Sequence, residues 1–281
     1  MSSDSYSNEY LSGLERLQDG KYLTYYSAGA RERAEYLSTM AEKGHDFLKE
    51  FFQEDFEMPL LVLNQEDWTK RNPEMDYGAI YAGKNCVHFP ADEDYLFLDL
   101  VQPLYDSSPE HLKRALIKMV GEETPFKKGF GIFLDSKIVH EFTHVCLAKK
   151  DIKFGLRWFD EFFCDYTNYA FLKRLESDYQ FRLEIQEFMP HIMYEGGLPH
   201  AKYTKSVDFD RPYHQVGWLN FVWFYGRNML GVIELYKVYS EKFIGHVLDA
   251  YTPSNRLLVQ RLDDRSDGLG QWFRDWLEKN P

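Results

Sequence analysis

The segment Ile138-Val139-His140-Glu141-Phe142-Thr143-His144 constrains this chain more than any other stretch. Read as a helix, it places His140 and His144 four residues apart, so both imidazoles project from one face and can grip a single ion. Glu141, beside the first histidine, is placed to hold and deprotonate the water that such an ion binds. Zinc takes four ligands in a tetrahedron and a catalytic site keeps one position open, so one further protein ligand is required. The segment Arg157 to Asp165 offers it, because Glu161 and Asp165 also share a helical face. Glu161 completes the ligand set, and Asp165 accepts a hydrogen bond from the far nitrogen of a ligating histidine. Asp135 or Ser136 is the expected N-cap of the first helix, with Ile138, Val139, Phe142 and Val145 as its packing face. An H-E-x-x-H string alone carries moderate weight; the carboxylate pair on a second helix makes coincidence much rarer. The expected cofactor is one Zn2+.

H-E-F-T-H followed by E-x-x-x-D resembles the gluzincin metallopeptidases, the group that contains thermolysin and the alanyl-aminopeptidase-like enzymes. Trp158, Glu161 and Tyr166 line up with the W-x-x-E-x-x-x-x-Y pattern of the aminopeptidase branch. The interval of 16 residues between His144 and Glu161 is shorter than in either relative, so the connection must be tight, and Asp151 to Gly155 reads as its turn. The resemblance implies an α+β fold of the thermolysin-like zincin type, a mixed α/β N-terminal lobe and a mainly helical C-terminal lobe. Residues 1–281 would form one catalytic domain, with the first lobe over about 20–150, the second over about 151–281, and the zinc helices at the junction. The strand at Lys21 to Ser27, the helix after it and the segment Leu61 to Trp68 look loosely like the N-terminal lobe of peptidase MA-like proteins. Tyr213-His214-Gln215-Val216-Gly217, leading into the apolar run that ends Tyr225-Gly226, is similar to the segment in which a tyrosine precedes a helix and stabilises the oxyanion. That likeness implies Tyr213 as the donor, with His214 as its rival. The G-x-M-E-N segment that binds a substrate's free α-amine in aminopeptidases is absent, which leaves endo- against exopeptidase action open.

The expected activity is therefore hydrolysis of a peptide bond, with a peptide or small amide as substrate. Glu141 takes the proton of the attacking water and passes it to the leaving nitrogen. Two alternatives stand beside this. One is a non-catalytic zinc-stabilised or peptide-binding protein of the same fold, against which Glu141 argues, since a structural zinc needs no such base and takes a fourth protein ligand. The other is a zinc hydrolase of a non-peptide amide or ester.

A length of 281 residues holds one large domain or two small ones. A net charge of -12 argues against nucleic acid and anionic membrane as partners. The polar start at Met1 to Tyr10 has no signal-peptide character, and no apolar run is long enough to span a bilayer, so a cytoplasmic protein is expected. Oligomeric state is left open. Cys86, Cys146 and Cys164 form no disulfide framework; the last two read as small buried residues behind the site rather than ligands.

Along the chain, Ser2 to Asp19 reads as a polar arm leading into a short helix, and Lys21 to Ser27 as a strand. Ala28 to Phe52 has a helical apolar face, and Met58 to Leu63 is a buried strand ended by the polar run Asn64 to Asp67. Gly78 to Gly83 and Cys86 to Pro90 read as a hairpin. Gluzincins bind substrate backbone on an edge strand, for which Cys86 to Phe89 is the candidate and Phe130 to Leu134 the competitor. His88 reads as structural. Ala91 to Asp106 reads as a connection, Ser108 to Val120 as a helix, and Gly121 to Gly129 as a loop. The Glu161 helix runs to about Leu175, with a further helix around Phe181 to Phe188. Pro190 to Pro212 reads as a long loop over the site. Trp218 to Tyr239 reads as helix broken near Gly226 or Gly231, followed by helical stretches at Lys242 to Tyr251, Arg256 to Leu262 and Gly270 to Lys279.

Overall fold

A computed structural model describes residues 9–18, 22–56, 58–83, 85–92, 96–196, 203, 205, 208, 211, 213–251, 262 and 268–279, without the side chains of 96, 97, 213 and 214. Five short strands make one sheet: β1 (Glu15–Arg16), β2 (Thr24–Tyr26), β3 (Leu60–Leu63), β4 (Tyr81–Gly83) and β5 (Cys86–Pro90). Their spatial order is β1-β2-β3-β5-β4. The three inner strands are parallel, and the two outer ones run antiparallel to their neighbours. The unbroken apolar run of β3 is wholly buried, as a strand covered on both faces requires. β1 stands where a short helix was expected.

The edge-strand expectation is corrected by this order. Cys86 to Phe89 lies inside the sheet, between β3 and β4, and every residue of β5 is buried. The edge on that side is β4, its hairpin partner, in the register Tyr81 to His88 and Gly83 to Cys86. Its turn passes through Asn85 at φ 59°, a left-handed conformation that asparagine tolerates. The competitor Phe130 to Leu134 is helical. His88 is indeed structural, with its ring stacked on Tyr81 at 4.4 Å and its Nε2 at 2.9 Å from the Tyr10 hydroxyl.

Twelve helices are described: α1 (Arg31–Phe52), α2 (Gln65–Arg71), α3 (Leu96–Asp106), α4 (Glu110–Val120), α5 (Pro125–Asp135), α6 (Ile138–Lys149), α7 (Arg157–Arg174), α8 (Glu176–Glu195), α9 (Tyr213–Val216), α10 (Trp218–Tyr239), α11 (Lys242–Ala250) and α12 (Leu269–Lys279). Several begin where polar residues suggested loops. Asn64 accepts a hydrogen bond from the Asp67 N–H, so the polar run after β3 caps α2 instead of merely ending a strand. In α3, Leu98, Val101 and Leu104 recur every three residues and are buried, while Asp99 falls on the outer face. Pro125 opens α5 in the helix position where its missing N–H costs nothing. α5 then runs to Asp135, so neither Asp135 nor Ser136 caps α6; Lys137 holds that position without a side-chain cap.

α1 buries Ala34, Leu37, Met40, Ala41, Phe47 and Leu48. Gly44, in the same face, is required by close approach: a Cβ there would stand 2.5 Å from Val139 Cγ2 on α6. The valine cannot swing aside, because β-branched side chains are confined to one rotamer in a helix. α10 is unbroken, and its glycines serve packing in the same way, Gly226 against Met193 and Gly231 against Trp276. Much of the aromatic content packs where α7, α11 and α12 meet, with Phe162 at 5.5 Å from Phe273 and 5.9 Å from Trp276. The chain is thus helix-dominated with one small sheet, compatible with the expected α+β class. No described helix is long and apolar enough to cross a membrane. The expected loop from Pro190 to Pro212 begins inside α8, and most of its remainder, like most of Arg256 to Leu262, lies outside the described residues.

Candidate metal centre

α6 and α7 pack side by side, joined by a turn through Asp151 and Gly155 at φ 53° and 76°, the tight connection that the short interval demands. This brings three ligand atoms to one point. His140 Nε2 and His144 Nε2 are 3.1 Å apart, and Glu161 Oε2 lies 3.3 Å from the first and 3.6 Å from the second. His140, His144 and Glu161 lie close enough to hold a metal ion. His140 and Glu161 are buried; the His144 side chain is 27 % exposed and opens the group to the cleft.

Each imidazole is held from behind. His140 Nδ1 is 2.9 Å from Asp165 Oδ1, one helical turn beyond Glu161, as the spacing predicts. His144 Nδ1 is 3.4 Å from Cys164 Sγ. Burial and the surrounding carboxylates push the Cys164 thiol well above its usual range, so it stays protonated and neutral behind the histidine. Among the protein groups alone, burial disfavours charge on His140, but Asp165, Glu161 and Glu141 outweigh it and push its pKa up to about 10. Burial likewise opposes a charged Glu161, yet His144 and His140 hold its carboxyl well below the usual carboxylate range. An ion entering the group must therefore displace a proton from His140.

Glu141 stands at the edge of the triangle, with a carboxylate oxygen 3.9 Å from His140 Nε2. Burial raises its pKa, partly offset by both histidines, and it accepts a hydrogen bond from the Ala82 backbone on β4. The edge strand and the base of α6 are thereby tied together. Around them lies a cleft of about 360 Å3. One face of α10 lines it with Trp218, Phe221, Val222 and Tyr225, spaced as one helical stripe, and Ile80 with Tyr81 and Ala82 of β4 line it too.

Two residues of this cleft were not found from the sequence. The Tyr225 hydroxyl is 3.0 Å from both ring nitrogens of His140. Burial, and then Asp165, Glu161 and Glu141, push its pKa well above the phenol range, so it remains a hydrogen-bond donor. Nothing marks it out among 20 tyrosines in an apolar helix. Lys137 is the other: it is 1 % exposed, its Nζ 2.6 Å from Asp165 Oδ1 and 5.0 Å from the centre of the Tyr225 ring. A lysine at a helix start reads as solvated, and the signal that it is not, the buried acid on another helix, exists only in three dimensions. Tyr213 and His214 lie in α9, one residue before α10, but their side chains are outside the described residues.

Asp165 thus serves two partners with one oxygen, and its loss should have two separable effects. Asp165→Ala should weaken metal binding by roughly 10- to 100-fold through the unsupported imidazole. It should also leave Lys137, whose pKa burial already lowers, without its buried partner, at a cost of about 3–5 kcal/mol in stability. Adding Lys137→Met should restore most of the stability and none of the metal affinity, read by denaturant unfolding and metal titration. Equal recovery of both would show that Asp165 acts only through the fold.

Compared with protein-family models, curated proteins and solved structures, the chain matches none.

Proposed function

We propose that the protein is a zinc-dependent hydrolase of the gluzincin kind, a metallopeptidase with a thermolysin-like arrangement of lobes. The observation that carries this is the ligand triangle with Glu141 at its edge. Ligands 2.0–2.1 Å from a tetrahedral zinc stand about 3.3–3.4 Å apart. The separations of 3.1, 3.3 and 3.6 Å span the tetrahedral edge, and two imidazoles with one carboxylate are a donor set that a catalytic zinc takes. His140, His144 and Glu161 would hold it, leaving one position open to the cleft. Bound there, zinc supplies Lewis acidity at that position.

The chain's own residues supply the rest. Glu141, dry and with a raised pKa, takes the proton of the attacking water and returns it to the leaving nitrogen. The remaining backbone groups on the outer edge of β4, where Glu141 already takes the Ala82 N–H, receive an extended peptide and align its scissile bond over Glu141. The apolar walls from α5 and α10 suit a hydrophobic side chain beside that bond. Tyr225, fixed beside the ligating nitrogen and unable to ionise, donates a hydrogen bond to the oxygen on which charge develops. This gives it the role that the family resemblance implies for Tyr213.

A turnover screen on a peptide library, with Glu141→Gln as the control, tests the reading. Tyr225→Phe should leave zinc content and stability nearly unchanged and lower kcat by roughly a hundredfold. Tyr213→Phe and His214→Ala should leave kcat within a few-fold. The reverse ranking would return the role to α9. Cleavage confined to esters or non-peptide amides would favour the broader hydrolase alternative.

A further inference from the structure

On the opposite face of α5 from the metal cleft, a second cavity of about 950 Å3 opens between α1, α4, α5 and α8. The two share no lining residue. In a chain of net charge -12 this cavity is cationic, with Arg33, Lys127, Lys128 and Arg182 in its walls against Glu32 and Asp135. Arg33 is committed to Asp135, gripping both carboxylate oxygens at 3.1 and 2.6 Å. Lys127 and Lys128 reach Asp99 at 3.0 Å and Glu123 at 3.8 Å, but both acids are largely exposed, so these pairs are weak and easily exchanged.

Arg182 is different. Its guanidinium lies over the Tyr36 ring at 4.7 Å and its Nη1 is 3.4 Å from Ser136 Oγ. No carboxylate among the described residues pairs with it. Burial, and then the like charge of Arg33, lower its pKa to about 10. A partly desolvated cation with no counter-ion among the described residues and a second guanidinium nearby is a standing cost to the fold. A ligand anion would remove that cost. Phe181, a large apolar side chain 44 % exposed, stands beside Arg182 in the same cavity, and Tyr36 faces it from α1.

We propose that this cavity binds a phosphate-bearing small molecule, its phosphate held by Arg182, Lys127 and Lys128 and its organic part against Phe181 and Tyr36. A guanidinium fork with two ammonium groups suits the multiple charge and three oxygens of a phosphate; one carboxylate would be satisfied by the fork alone.

Calorimetric titration of the full chain with inorganic pyrophosphate, at constant ionic strength and after chelation so that no metal can hold the anion, tests the site. One saturable binding event per chain is expected, weakened at least tenfold by Arg182→Met. Without pyrophosphate the same variant should melt no lower than the parent, since it loses an unpaired cation; a purely structural arginine would lower the Tm. Should Arg182→Met fail to fold, the double variant of the lysine pair, Lys127→Met with Lys128→Met, decides the matter by a severalfold loss of affinity. No saturable binding, or affinity unchanged in the variants that fold, overturns the proposal.

Discussion

Glu141→Gln is expected to retain the fold and the metal while losing turnover by roughly 10²- to 10⁴-fold, the range that a positioned general base contributes. The substitution is nearly isosteric, and Glu141 is not among the three residues whose ligand atoms converge. The hydrogen bond from Ala82 can be kept, because the amide oxygen accepts as the carboxylate does. What is lost is only the ability to take up a proton. A variant that turned over a confirmed substrate at the parent rate would remove Glu141 from the mechanism, whatever the metal content. The direction of its pKa points the same way. A carboxyl raised by burial is a stronger base than one in water, and as pH falls through its raised pKa the base becomes protonated and the rate should decline.

Glu161→Ala should act one step earlier, by abolishing the metal. It removes the only carboxylate in the converging group and leaves two imidazoles, which cannot complete a tetrahedral site. The loss of affinity should exceed the roughly 10- to 100-fold expected of a supporting residue such as Asp165. Turnover should vanish with the metal and return in part at high zinc concentration. Glu141→Gln should gain nothing from added zinc. That contrast separates a ligand from a base more cleanly than either variant alone.

Much of this centre was legible in the sequence because it depends on spacing within helices. Two histidines four apart on α6, and Glu161 with Asp165 four apart on α7, fix which side chains share a face before any packing is known. The tight connection at Asp151 to Gly155 was readable from the shortness of the interval. What could not be read depends on contacts between distant segments. The resemblance places the substrate edge on Cys86 to Phe89, yet β5 is buried along its whole length between β3 and β4, a pairing that only the folded sheet reveals. The true edge, β4, is three residues long. Polar residues misled at helix starts: Asn64 caps α2, Asp135 pairs with Arg33, and the acids of α3 merely face outward. Tyr225 and Lys137 carry no local signal at all. Each becomes informative only when α10, α6 and α7 converge on His140.

Zinc counted per chain, by elemental analysis of the purified parent protein and of Glu161→Ala prepared in parallel, decides whether His140, His144 and Glu161 hold the ion. One zinc per parent chain is expected, removable by chelation and restored on adding zinc, and almost none in the variant. A parent chain that takes up no zinc even after reconstitution, or a Glu161→Ala protein that holds zinc as tightly as the parent, would contradict it.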